Sequence, residues 1–167
     1  MKHLIEWAEA LTEGCGRLAG WCSLAILLLT LTVVLLRYVF GIGATAIQET
    51  ALYLHGAIFT LAAGFTLKRD AHVRVDVFYR RFSARSQCWI DFLGALLFLF
   101  PLALTIFGFS WAYVLGSWRI HESSVEAGGL AYVYLQKSLL LVLSTSLVLE
   151  GLAQLYRKGI SLKRGEY

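Results

Sequence analysis

Four long apolar stretches constrain this chain more than any other feature. Leu18 to Leu36, Thr50 to Leu67 and Phe92 to Trp118 are free of Lys, Arg, Glu and Asp. A helix rises ~1.5 Å per residue, so ~20 residues cross a ~30 Å hydrocarbon layer, and each stretch is about that long or longer. A fourth, Leu130 to Tyr156, reaches across only if Lys137 and Glu150 lie inside it near its two ends, where charges snorkel or pair. With 58% hydrophobic and 16% charged residues, a water-soluble domain of 167 residues could not hide this apolar surface. No Gly/Ser linker, low-complexity tract or internal repeat divides the chain. The expected fold is an all-α membrane protein, one domain over residues 1–167, with spans at about 18–40, 47–67, 87–117 and 130–156.

The excess of 15 basic over 11 acidic residues would raise nucleic acid as a partner in a soluble chain. Here the charges follow the membrane. Lys2 and Arg17 precede the first span, Lys68, Arg69, Arg74, Arg80, Arg81 and Arg85 lie between the second and third, and Arg157, Lys158, Lys163 and Arg164 follow the fourth. The positive-inside rule then places both termini and the Leu67 to Phe82 segment in the cytoplasm, and nucleic acid is set aside. Three glutamates and a long apolar run argue against a cleaved signal peptide at the N-terminus, despite Ala44-Thr45-Ala46. Cys15, Cys22 and Cys88 fall on the reducing side, so no disulfide is expected.

Leu4, Trp7, Ala8, Leu11, Cys15 and Leu18 recur at helical spacing and predict a short N-terminal amphipathic helix on the inner membrane face; a frayed terminus is the competing reading. The segment of about residues 70–84 alternates Val73-Arg74-Val75-Asp76-Val77, yet a lone strand beside a bilayer has nothing to pair with. It reads as a cytoplasmic interfacial helix between spans two and three, the basic segment of Lys68, Arg69, His72, Arg74, Asp76, Arg80 and Arg81, with its arginines facing water or lipid phosphates. His72 and Asp76, four apart, make a poor metal site without a third ligand, and ion pairing of Asp76 is the plainer reading. Aromatic residues cluster at the expected helix ends as an interfacial belt.

Gly56, Thr60 and Gly64 on the second span, and Gly108, Ala112 and Gly116 on the third, form small-residue ridges that let helices approach closely. Pro101 removes a backbone donor inside the third span and should kink it. Arg37, a turn before the end of the first span, and Glu49, a turn into the second, fall at one depth. They are expected to pair with each other or with a partner subunit, with snorkelling of Arg37 as the alternative. Asp91 and Glu150 match in depth near the other face, with Lys68, Arg69 or Arg85 to neutralise them. No phosphate-binding loop, Cys-x-x-Cys, H-E-x-x-H or activated nucleophile points to catalysis, and only His55 lies deep in a span.

The order of "RYVFG" (Arg37 to Gly41), "QETALYLHG" (Gln48 to Gly56), "LAAGFTLKRDAHVRVDVF" (Leu61 to Phe78) and "HESSVEAGGLAYVY" along four spans resembles a known family. It is the small membrane (Q, DctQ-type) subunit of tripartite ATP-independent periplasmic (TRAP) transporters. His72-Val73-Arg74-Val75-Asp76 is the most specific element. Where the family often has Trp and two acids, this chain has Ala46, Ile47, Gln48 and Glu49. The resemblance implies a bacterial inner-membrane protein in a stable heterodimer with a large elevator-type permease subunit. That partner would hold the sodium ions and the substrate, an organic acid delivered by a transient periplasmic binding protein. This chain would brace it, with lipids as further partners and no cofactor of its own. Two other classes compete with this reading. A haem-binding anchor of a redox complex needs axial ligands on facing helices, and an orphan four-helix assembly factor would lack a permease partner.

Overall fold

The apolar stretches form four long helices in the structure, a computed structural model that describes residues 2–69 and 79–165. They are α1 (Lys2–Val39), α2 (Thr45–Lys68), α3 (Ala84–Arg119) and α4 (Val133–Arg164), and no strand occurs among the described residues. Each is long and apolar enough to cross a membrane. The stretch expected as a separate N-terminal amphipathic helix runs without a break into the first span. At 38 residues α1 is ~57 Å long, so the part before its apolar window, Glu13–Val39, extends well past a single hydrocarbon crossing.

Local chemistry sets the ends. Gly41, at φ 67°, turns the chain after α1, and the Ile42 N–H closes on the Leu36 carbonyl at 2.9 Å. Ser83 caps α3 by accepting from the Ser86 N–H. Gly165, left-handed at φ 71°, ends α4. Inside α3 the expected effect of Pro101 takes a particular form. Residues Ala95–Leu99 open into a π-turn, and the Phe100 N–H bonds the Ala95 carbonyl five residues back. Widening the turn just before the proline relieves the clash of its ring with the preceding turn, where the helix must lose a hydrogen bond in any case.

The helices pack in the order α1, α2, α4, α3; α1 also touches α4, while α3 makes no substantial contact with α1 or α2 among the described residues. Small residues make the seams. A Cβ on Gly16 would lie 2.5 Å from the Phe65 ring, one on Gly64 3.3 Å from Ser146 Cβ, and one on Gly151 3.0 Å from Leu99. The buried apolar residues are Ala19, Cys88, Ala95, Ala103, Val114 and Ala153, joined by Thr60, Ser110, Ser117, Ser144 and Glu150. Large side chains such as Leu27, Phe59, Phe98 and Phe109 point outward. In lipid that distribution is favourable, because close backbone approach, rather than exclusion of large apolar groups from water, drives helix association there.

Candidate interaction surfaces and charged clusters

Glu49, at the start of α2, organises one end of the row. Its Oε2 accepts from the Leu130 N–H at 2.6 Å, and its Oε1 accepts from the Ser124 hydroxyl. The loop between α3 and α4 is thereby tied to α2, and it is closed internally by Ser124 N–H to Leu130 O (2.8 Å) and Val133 N–H to Glu122 O (3.1 Å). Gly129 is required at this point: a Cβ there would sit 2.5 Å from Ser124 Oγ and 2.8 Å from Glu49 Oε1. Lys137, in the first turns of α4, donates to Glu122 Oε2 at 2.5 Å and lies 4.1 Å over the Tyr113 ring. That ammonium holds the Glu122 carboxyl below its ordinary range. The Trp118 indole N–H donates to Ser138 Oγ at 2.8 Å, locking the end of α3 to α4. The apolar tip of the loop, Val125, is 99% exposed.

A second cluster fastens α3 to α4 at the other end. Lys158 donates to Asp91 Oδ2 at 2.6 Å, and the Tyr79 hydroxyl donates to the same carboxylate at 3.0 Å. The Cys88 thiol lies 3.6 Å from the Lys158 carbonyl. Glu150 is wholly buried; Arg157 donates to its Oε1 at 2.5 Å, and Oε2 has no hydrogen-bond partner among the described residues. Lys68 and Arg69 hold Glu13 of α1 at 3.2 and 3.1 Å. Asp91 and Glu150 therefore draw on Lys158 and Arg157 of α4, which the sequence suggests as a basic tail, and Lys68 and Arg69 serve Glu13 instead of them.

The other residues expected to matter divide between seams, surface and loops. No ion pair joins Arg37 to Glu49; Arg37 is exposed, and the Glu49 carboxylate points to the α3–α4 loop. Gly56, Thr60 and Gly64 face α4, with Thr60 buried, and a Cβ added at Gly56 would stand 3.6 Å from Leu139. Gly108, Ala112 and Gly116 lie on the opposite face of α3 from its buried Ser110, Val114 and Ser117, and a Cβ at either glycine would meet nothing within 4 Å. Lys68 is partly buried, while Arg69, Arg80 and Arg81 are exposed. His72, Arg74 and Asp76, with most of the interfacial segment, lie outside the described residues. His55 is on an exposed face of α2 and His121 in the α3–α4 loop, so these two do not face each other across the layer.

Among protein families, the chain matches the one described as tripartite ATP-independent periplasmic transporters, DctQ component, over residues 26–159. No match was found among curated proteins or among solved structures. The family match covers most of the chain, which therefore belongs to the DctQ family, the small permease component of TRAP transporters.

Proposed function

We propose that this DctQ component is a static brace for a large elevator-type permease subunit, in sodium-coupled uptake of an organic acid supplied by a periplasmic binding protein. The observation that carries this reading is the open arrangement of the helices, in which α3 packs against α4 alone among the described residues. Four spans in a closed bundle would satisfy one another. Four spans in a row present two broad faces, one for lipid and one for a partner that needs widening in the membrane plane. The ridge of Gly108, Ala112 and Gly116 supports the same reading, because a small-residue face turned away from its own chain suits close approach by another helix.

Among the described residues, charged groups inside the spans are few and are neutralised within the chain: Lys158 on Asp91 joins α4 to α3, and Arg157 on Glu150 closes within α4. In this reading sodium and substrate are bound by the large subunit, the chain resides in the bacterial inner membrane, and the basic ends face the cytoplasm. Liposomes carrying the large subunit and its binding protein, with and without this chain, test the proposal. Uptake should require the chain, while substrate preference and sodium dependence should be unchanged when Glu150 or His55 is replaced by a residue of similar volume. Uptake by the large subunit alone would refute the brace.

A further inference from the structure

One exposed face at the start of α3 is ordered like a phospholipid. Arg85 lies in the first turn, Trp89 four residues on and Leu93 four beyond that, so the three share one helical face in the sequence cation, indole, aliphatic. All three are exposed, Trp89 by 45% and Leu93 by 42%, while Cys88 and Ala95, to one side of this face, are buried. A second arginine, Arg81, lies in the turn that leads into this helix. The Gln87 side-chain amide donates to the carbonyls of both Tyr79 and Phe82 at 3.1 Å, and the Phe82 N–H bonds Tyr79 O at 3.2 Å. Ser83 caps the helix, and Tyr79 is anchored to Asp91. The turn carrying Arg81 is thus fastened to the helix that carries Arg85. Both arginines are exposed, and no ion pair engages either among the described residues.

We infer that this corner binds the headgroup of an anionic phospholipid, with Arg81 and Arg85 on the phosphate, Trp89 at the glycerol level and Leu93 along an acyl chain. Two arginines on a fastened turn and first helical turn, at the polar end of an apolar helix face, match an anionic phospholipid in charge and in the order of its parts. A soluble anion would gain nothing from Trp89 and Leu93, and a zwitterionic lipid would bring its own cation to the arginines. The position, just outside an apolar span, is the depth at which lipid phosphates lie.

Native mass spectrometry and thermal melting of the full chain in detergent, with added phosphatidylglycerol or phosphatidylcholine of equal acyl length, test the inference. Phosphatidylglycerol should bind and raise the melting temperature more than phosphatidylcholine does. Arg81→Gln and Arg85→Gln should each weaken its binding about five-fold and together about 30-fold, on the usual worth of a basic residue at an anionic surface. Arg85→Lys should recover most of the loss. Gln87→Ala, by releasing the turn, should narrow the gap in melting temperature between phosphatidylglycerol and phosphatidylcholine, whereas Arg119→Gln should leave that gap unchanged. Equal binding of both lipids, or full phosphatidylglycerol binding by the double variant, would overturn the inference. So would displacement of the lipid by millimolar inorganic phosphate, which would mark a soluble-anion site. Loss of the large subunit from the double variant with lipid binding intact would assign the corner to an acidic protein segment instead.

Discussion

The Leu130 N–H donates to Glu49 Oε2 at 2.6 Å, across 81 residues of sequence, and fixes the α3–α4 loop to the first turns of α2. With the Ser124 hydroxyl on the other oxygen, both carboxylate oxygens face this loop, and Arg37 is not their counterion. Glu49→Ala leaves a part-buried amide without its acceptor and should loosen the loop. Its melting temperature should fall, and hydrogen exchange should accelerate across residues 122–130. Gly129→Ala should do the same by crowding Ser124. Arg37→Ala should change the chain's own stability by less than ~0.5 kcal/mol, as exposed substitutions do. The Arg37–Glu49 double-mutant cycle should be additive; a coupling above ~1 kcal/mol would restore the pair.

Glu150 and Arg157 test the opposite end. The carboxylate is fully buried and its ionic partner among the described residues is seven positions along α4, with Arg157 40% exposed. Arg157→Leu leaves that charge uncompensated and should cost ~3–5 kcal/mol, whereas the double variant Glu150→Leu with Arg157→Leu should recover most of it. Melting temperatures of the two singles and the double in one detergent decide the matter. A double variant as unstable as the sum of the singles would mean that the two groups act separately.

These relationships differ in how far the sequence reveals them. The spans are legible because length and absence of charge suffice to define them, and Val133–Arg164 can be assigned once Lys137 and Glu150 are allowed inside its ends. Glu49 is legible as a polar group worth a partner, but no periodicity connects it to Ser124 and Leu130, which sit in a loop whose path depends on tertiary closure. Arg157 stands two helical turns after Glu150, so the pair is readable in spacing; ending the fourth helix at Tyr156 instead of Arg164 hides it. The small-residue ridges show the limit most clearly. Gly56, Thr60 and Gly64 have the same spacing as Gly108, Ala112 and Gly116, yet the first set meets α4 and the second meets none of the described chain. Spacing identifies a face suited to close approach and says nothing of whose helix approaches.

The Glu122–Lys137 contact gives a pH signature. Lys137 holds the Glu122 carboxyl below its ordinary value of 4.5, so the folded group binds its proton less readily than the unfolded one. The stabilisation is fully present above the unfolded value and is lost as pH falls through the folded one. The gap in melting temperature between the native chain and Glu122→Gln should therefore be widest near neutrality and close as the pH drops below about 4.5. A gap that is constant down to about pH 3 would show that the carboxylate charge contributes nothing. Glu126→Gln, at an exposed position of the same loop, serves as the control.

The two ridges separate internal packing from subunit packing. At Gly64 a side chain would press on Ser146, whose Cβ stands 3.3 Å from the position of a first added carbon, and whose backbone carbonyl is 3.6 Å away. Helix α4 cannot yield without moving Ser144 and Glu150, both fully buried within a turn of Ser146. Gly64→Leu should thus destabilise the isolated chain by ~1–3 kcal/mol, as overpacking does. A Cβ at Gly108 meets no atom within 4 Å, so the Gly108→Leu chain on its own should melt within ~0.5 kcal/mol of the native one. The same holds for Ala112→Leu, on an exposed face. If that face is where the large permease subunit packs, both α3 variants should retain native stability alone and lose co-purification of the large subunit. The leucine branch would hold the two backbones apart by more than a close small-residue contact tolerates. Retention of the large subunit by Gly108→Leu and Ala112→Leu together would move the interface to another face of the row, and lipid would be the neighbour of this one.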